Sequence, residues 1–312
     1  MKILFMGTPE FGAGILRELI KEHDVVLVVT QPDKEVGRKK QIEFSAVKKV
    51  ALENNIPVFQ PLNIRKEYQY ILDNYTFDLI VTAAYGQIVG TKLLEYPKYK
   101  AINVHGSLLP KYRGGAPIQR SIMAGDSVTG ITIMYMAKGM DSGDILVQKE
   151  VPILESDNSD SMFEKLKNTG ASMINKAIFD LEKGLLKPIP QVESKVTYAY
   201  NISHEEELLD FNKHTSFEIF NIIRGLSSNP GAYFTIGDFQ IKVYSSSYSM
   251  NNSKYESSTI CEVKKDSFSV ACKEGIITFN EIKPMGKGIM PVKDFLNGKG
   301  RNILVLGAKI GQ

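Results

Sequence analysis

The feature that most constrains this fold is a series of short strands, each apolar throughout, separated by helical stretches. Lys2 to Met6, Val25 to Thr30, Leu79 to Ala83 and Ala101 to His105 read as such strands. Between them lies a helix running towards His23, with Phe11, Ile15, Leu19 and Ile20 on one face. A second helix starts at a Ser45 cap and runs through Asn54, and a third precedes Phe77. A strand with no polar face is buried on both sides, and alternation with helices implies a parallel sheet covered on both faces. Ile131 to Met136 and Asp144 to Val151 read as strands that extend this sheet. A long amphipathic helix follows from Ser159 to Lys183, and Gly184 stops it.

The pattern changes near Lys187. KPIPQVESKVTYAYNISHEEE carries two prolines and no period, and reads as a linker. Beyond it, Ser216 to Leu226 reads as a helix. Short strands then follow at Ala232 to Ile236, Phe239 to Tyr244, Thr259 to Val263, Phe268 to Ala271 and Gly275 to Glu281. This spacing suggests a small β-barrel or sandwich. The polar run from Ser245 to Ser258 reads as a surface loop. The expected organisation is a first domain over residues 1–188, a linker over 189–205 and a second domain over 206–312.

At 312 residues, with 43% hydrophobic and 23% charged residues, the chain has the composition of a soluble globular protein. A net charge of +3 excludes a bulk polycation, so nucleic-acid contact must come from local basic patches. Cys261 and Cys272 have no CxxC spacing and no neighbouring histidine, which leaves two reduced thiols. The histidines His23, His105, His204 and His214 are scattered, so no metal site is expected. No apolar run approaches the roughly 20 residues that cross a bilayer. The chain opens directly on a strand without a signal-peptide pattern. A cytoplasmic protein without membrane contact is expected, with a lean towards a monomer.

The glycines after the first strand, Gly7, Gly12 and Gly14, fit neither the G-x-G-x-x-G fingerprint nor a Walker loop. Thr30-Gln31-Pro32 stands where a ribose-binding acid would be expected, so a nicotinamide cofactor is disfavoured. The loop Gln31 to Gln41 holds Lys34, Arg38, Lys39 and Lys40 around Gly37. Such a run is usually a solvated surface. It nevertheless follows the carboxyl end of a strand, where open α/β sheets bind ligands, and a cationic loop there suits RNA phosphate.

The stretch from Ile102 to Asp144 carries the chemistry. Asn103 and His105 are two residues apart on an apolar strand and so share one face. An amide donor and a titratable imidazole can address one reacting atom, and Asp141, in a loop bounded by Gly139 and Gly143, can supply a carboxylate. A hydrogen-bonded core asparagine and a buried neutral histidine are the plain alternative. Against it, His105 ends its strand and runs into Gly106-Ser107-Leu108-Leu109-Pro110, a sharp turn, and then Gly114-Gly115-Ala116-Pro117 before a helix. An amide, an imidazole and a carboxylate without a nearby cysteine suit acyl-type transfer.

HGSLLPKYRGGAPIQRSIMAGD followed by GITIMYMAKGMDSGDIL resembles the signature of the folate-dependent formyltransferases. That resemblance places catalytic roles on Asn103, His105 and Asp141. ILFMGTPEFG, QPDKEVGRKK and KPMGKGIMPVKDFLNG resemble the branch of the family that acts on methionyl-tRNA, so the likeness covers nearly the whole chain. It implies a Rossmann-like, mostly parallel α/β domain that binds 10-formyltetrahydrofolate as co-substrate, followed by a small OB-like β-barrel. It also implies that Ser107, Leu108, Leu109 and Pro110 lie at the folate and that Tyr85, Gly86, Gln87 and Ile88 line the pterin pocket. Lys34, Arg38, Lys39 and Lys40 would meet the acceptor stem of methionyl initiator tRNA, and the second domain would add a positive surface for the tRNA body. The chain departs from the family at Asn201, where a lysine is usual, and at Ser228-Asn229-Pro230, where NPWP is usual. It has no tryptophan.

Overall fold

The computed structural model describes residues 1–36 and 41–311. By contact density the chain divides into two compact units. One comprises Met1–Pro117, Val128–Pro152 and Phe163–Tyr200, and the other Ile118–Ser127, Ile153–Met162 and Asn201–Gln312.

Through Glu182 the apolar runs form strands and the amphipathic runs form helices. In chain order these are β1 (Lys2–Gly7), α1 (Glu10–Glu22), β2 (Asp24–Val29), β3 (Lys34–Val36), β4 (Gln41–Glu43), α2 (Ala46–Glu53), β5 (Val58–Phe59) and α3 (Ile64–Asn74). Next come β6 (Leu79–Ala83), α4 (Thr91–Leu94), β7 (Ala101–His105), α5 (Pro117–Met123), β8 (Val128–Tyr135), β9 (Ile145–Pro152) and α6 (Ser159–Glu182). Helix starts follow capping chemistry. Pro9 precedes α1, and the Ser45 hydroxyl accepts the Lys48 N–H at 3.0 Å to cap α2. Gly184, at φ +67°, ends α6, where the Leu185 N–H reaches back to the Asp180 carbonyl.

The main sheet has the order β5-β2-β1-β6-β7-β8-β9. The strands from β5 to β7 run parallel, while β8 and β9 are antiparallel. This is the mostly parallel, Rossmann-like sheet expected from the sequence. The chain crosses from one side of β1 to the other between β5 and β6, so the carboxyl ends of β1 and β6 mark the switch point where such sheets bind ligands. Glycine is required there: a Cβ on Gly7 or Gly12 would stand 2.8 or 2.7 Å from the Ala83 carbonyl oxygen. The Thr8 hydroxyl donates to the Tyr85 carbonyl, and Gln31 Nε2 donates to the same oxygen, tying the ends of β1, β2 and β6 together.

The second unit carries α7 (Ser216–Leu226), β10 (Tyr233–Ile236), β11 (Phe239–Ser249), β12 (Ile260–Val263), β13 (Phe268–Ala271), β14 (Ile276–Pro284), β15 (Met290–Pro291) and α8 (Val292–Leu296). Its antiparallel sheet has the order β10-β11-β14-β13-β12, with β15 added to β14. The end strands β10 and β12 do not pair with each other, which leaves a half-barrel. A buried core including Phe211, Phe234, Phe268 and Phe279 fills it. The polar run expected to be a loop from Ser245 differs from that reading. Ser245 to Ser249 continue β11, paired with β14 through a register shift. Serines hide the strand period there, but Tyr248 packs against the core and holds the alternation.

His23, at the end of α1, has both ring nitrogens buried without a hydrogen-bond partner. Burial, reinforced by the Met1 ammonium, lowers its pKa below the ordinary value of 6.5, although Glu22 and Glu182 oppose the shift. The folded state therefore favours the neutral ring. His23 contributes stability that is full above about pH 6.5 and is lost as the pH falls through the lower folded value. Replacing it in His23→Phe should flatten the fall of melting temperature between about pH 7 and pH 5. An unchanged slope in calorimetry would remove His23 from that account.

Candidate active site

β7 carries Asn103 and His105 on one face, in the middle of the sheet. Asn103 pairs in register with Thr82 of β6, and His105 with Thr132 of β8. The buried Thr82 hydroxyl donates to Asn103 Oδ1 at 2.7 Å. With its oxygen satisfied, the amide presents Nδ2, which makes no hydrogen bond to a described residue. In this orientation the Asn103 amide can donate.

His105 is 5% exposed. Its Nε2 lies 2.9 Å from the Tyr112 carbonyl oxygen. A carbonyl can only accept, so Nε2 carries the proton and Nδ1 is the nitrogen that faces the site. Asp141 Oδ2 stands 3.7 Å from Nδ1. That gap is wider than a hydrogen bond, so imidazole and carboxylate face the same space without being locked together. The same Asp141 oxygen accepts the Gly114 N–H at 2.8 Å. Asn103, His105 and Asp141, read from the sequence as one constellation, thus lie on β7 and on the loop between β8 and β9.

The turn after His105 is braced from β8 and β9. The buried Thr132 hydroxyl donates to the Ser107 carbonyl at 2.7 Å and accepts the Leu109 N–H at 3.1 Å. Gln148 Nε2 donates to the Leu109 carbonyl and to Thr132 Oγ1, both at 2.8 Å. The Ser107 hydroxyl donates to the Lys111 carbonyl at 2.7 Å. Ser107 and Leu109 are buried, whereas Leu108 and Pro110 are half-buried.

The loop after β6 divides its residues differently. Tyr85 is buried in the apolar core beside Val89 and Leu93, and burial pushes its phenol pKa well up. Gln87 is anchored, donating to the Pro61 carbonyl and accepting the Ile64 N–H. Gly86 and Ile88 are exposed, Ile88 at 73%. In the basic loop, Lys34 is exposed on β3, opposite Glu43 of β4. Arg38, Lys39 and Lys40 lie outside the described residues. At the root of this loop, Lys48 pairs with Asp33 and donates to Gln60 at 2.8 Å. That ion pair holds the Asp33 carboxyl below its ordinary range.

Among the described residues no group of three or more His, Cys, Asp or Glu side chains could hold a metal ion, and no helix is long and apolar enough to cross a membrane. Sequence reasoning missed Thr82, Thr132, Gln148 and the Tyr112 carbonyl. Thr82, Thr132 and Gln148 act by hydrogen bonds to partners remote in sequence, and the Tyr112 carbonyl acts across an irregular turn, none of which periodicity records.

Residues 1–178 match the formyl transferase family model, and residues 201–300 match the model of the formyl transferase C-terminal domain. Methionyl-tRNA formyltransferases from Bacillus mycoides and Bacillus thuringiensis subsp. konkukian are 48% and 46% identical, over 100% of this chain and 99% of theirs. The chain belongs to the methionyl-tRNA formyltransferase family. Among solved structures, an N-formyltransferase from Helicobacter canadensis, in complex with folinic acid and dTDP-3-aminofucose, shares the fold. Its TM-score is 0.65 at 21% identity, over 89% of this chain and 98% of that one. HypX from Aquifex aeolicus gives a TM-score of 0.66 at 16% identity over 97% of this chain, which spans only 50% of HypX.

The bracing of the turn is directly testable. Thr132→Val keeps the shape and strands the buried Leu109 N–H and Ser107 carbonyl. It should cost about 1–3 kcal/mol of stability for each group left unsatisfied. In urea unfolding this appears as a lower midpoint at unchanged slope.

Proposed function

We propose that this chain transfers the formyl group of 10-formyltetrahydrofolate to the α-amino group of methionyl initiator tRNA. The observation that carries the proposal is that Asn103 and His105 share one face of β7 while the Asp141 carboxylate stands 3.7 Å from His105 Nδ1. The family membership and the names of the relatives support both donor and acceptor.

The chemistry needs two services. As the amine nitrogen bonds to the formyl carbon, negative charge gathers on the formyl oxygen. The amine must then lose a proton, and the leaving nitrogen of the folate must gain one. Asn103 Nδ2–H donates to that oxygen, and donors held in place before the reaction act without reorganising during it. His105, with Nε2–H held by Tyr112, offers Nδ1–H as the second donor when its ring is doubly protonated. Asp141, the carboxylate nearest that nitrogen, receives the proton of the attacking amine directly or through a water. The proton finally resides on the folate nitrogen as its bond to the formyl carbon breaks.

The residues present fit a folate at the switch-point edge. The braced Ser107 to Pro110 turn follows β7, and the loop carrying exposed Gly86 and Ile88 follows its neighbour β6. Ser107, Leu108, Leu109 and Pro110, with Tyr85, Gly86, Gln87 and Ile88, are the residues that would surround it. Tyr85 would contribute through its backbone, since its ring is core. Lys34, Arg38, Lys39 and Lys40 would meet RNA phosphate, as suits a cationic loop rooted beside the end of β2. We place the activity in the cytoplasm, where translation begins, and propose that one chain suffices for it.

Formylation assays with 10-formyltetrahydrofolate, comparing methionylated initiator tRNA with a sugar amine and water, test the reading. Asn103→Ala should lose roughly 100- to 1000-fold in kcat. His105→Ala and Asp141→Ala should each lose about 100- to 10,000-fold. Near wild-type turnover in any of the three sinks that residue's role. For the basic loop, neutralising Arg38 and Lys39 together should raise the KM for tRNA and flatten its salt dependence. An unchanged KM would return the loop to an ordinary solvated surface.

A further inference from the structure

Gln191 lies in the non-periodic segment that the sequence marks as a linker, on no strand or helix of the site. Its amide nevertheless closes the loop that presents Asp141. Nε2 donates to the carbonyl oxygens of Asp141 and Gly143, each at 2.8 Å. Oε1 accepts the Nε–H of Arg113 at 2.9 Å. Arg113 is 3% exposed, and its guanidinium also pairs with Glu193 at 2.8 Å. The cation fixes the sense of the amide. Arg113 has no acceptor atom, so it must face the Gln191 oxygen, and the NH2 group must face the two carbonyls.

The loop needs such a clamp. Asp141 sits at φ +47°, a region costly for a residue with a Cβ. Gly143 has no room for a side chain, because a Cβ there would stand 1.9 Å from the Tyr135 carbonyl oxygen. The segment that carries Gln191 also holds the other half of the site. Thr197 Oγ1 accepts the Tyr112 N–H at 2.9 Å, and Ala199 donates its N–H to the Arg113 carbonyl and accepts the Ala116 N–H. Tyr112 supplies the carbonyl that anchors His105. Residues 189–199 therefore tie down, by separate bonds, the imidazole's acceptor and the carboxylate's loop.

We propose that Gln191 is a positioning residue for formyl transfer: its clamp on the carbonyls of Asp141 and Gly143 sets the carboxylate against His105 Nδ1. The proposal rests on the reading of Asp141 as the proton acceptor. It predicts an effect on rate and not on substrate binding, since misplacing a reacting group by about 1 Å costs about 100-fold.

The test uses the full chain and two variants. Gln191→Glu keeps an acceptor for Arg113 but removes the NH2 donor, and Gln191→Leu removes both. Melting curves establish that each is folded; if Gln191→Leu fails to fold, Gln191→Glu decides alone. The expected result is a kcat lower by about 10- to 100-fold, with KM for 10-formyltetrahydrofolate and methionyl-tRNA within about threefold of wild type. In a double-mutant cycle with Asp141→Asn, the combined variant should be slower than Asp141→Asn alone by less than about threefold. A wild-type kcat in Gln191→Glu, or losses that multiply in the double variant, overturns the clamp. If Asp141→Asn alone keeps full kcat, the reading of Asp141 fails and takes the clamp with it. That pattern differs from failure of the clamp alone, in which Asp141→Asn is slow and Gln191→Glu is fast.

Discussion

The hydrogen bond between His105 Nε2 and the Tyr112 carbonyl decides what the rest of the site can do. It assigns the ring proton without reference to any ligand. It also turns Nδ1 towards Asp141 and leaves Asn103 as the neighbouring donor on the same strand face. Had Nε2 faced a hydroxyl, either tautomer would have been available, and the imidazole would not present one nitrogen reliably. Thr82 Oγ1 donates to the Asn103 oxygen and ties that amide to β6. A backbone carbonyl that touches no substrate thereby settles the polarity of the imidazole.

The sheet explains why these groups can be held so tightly. β7 lies between β6 and β8, so both of its edges are paired, and Asn103 and His105 take their neighbours from registers fixed over several residues. The carboxylate has no such support. Asp141 sits on a connection between two strands, in a backbone region that residues other than glycine rarely adopt. Its position comes from the Gly114 N–H on one side and from Gln191 on the other. A preorganised site is therefore built from one rigid element and one tethered loop.

Much of this was legible in the sequence where a period or a cap records the structure. Apolar strands gave the parallel sheet, Ser45 and Gly184 marked helix ends, and Ser216 to Leu226 formed the helix its pattern indicates. Asn103 and His105 were legible because strand spacing puts them on one face. The serine-rich end of β11 was not, because serine at both inward and outward positions erases the alternation that marks a strand. Gln191 was hidden for a different reason. The PIPQ segment has no period, and prolines read as a break in structure. Yet Ile189 exchanges two backbone hydrogen bonds with Ile145, and Gln191 follows with a side-chain clamp. Hydrogen bonds between positions about 50 residues apart leave no local trace for a pattern to catch.

The glycine pair after the Ser107 to Pro110 turn and the glycine-bounded loop around Asp141 belong together. Gly114 donates its N–H to the Asp141 carboxylate while adopting φ +130°. A Cβ on Gly114 would stand 2.6 Å from the Ala199 carbonyl oxygen, so the missing side chain is also what admits the returning segment. Ala199 in turn bonds to Arg113, whose guanidinium orients Gln191, which closes the loop on Asp141. The path from Gly114 to Asp141 is thus a closed ring of contacts, entered once directly and once through the segment. Any side chain at Gly114 would strain both arms of that ring at once. Gly114 performs no chemistry, yet the same contacts that hold the carboxylate leave it no room for a side chain.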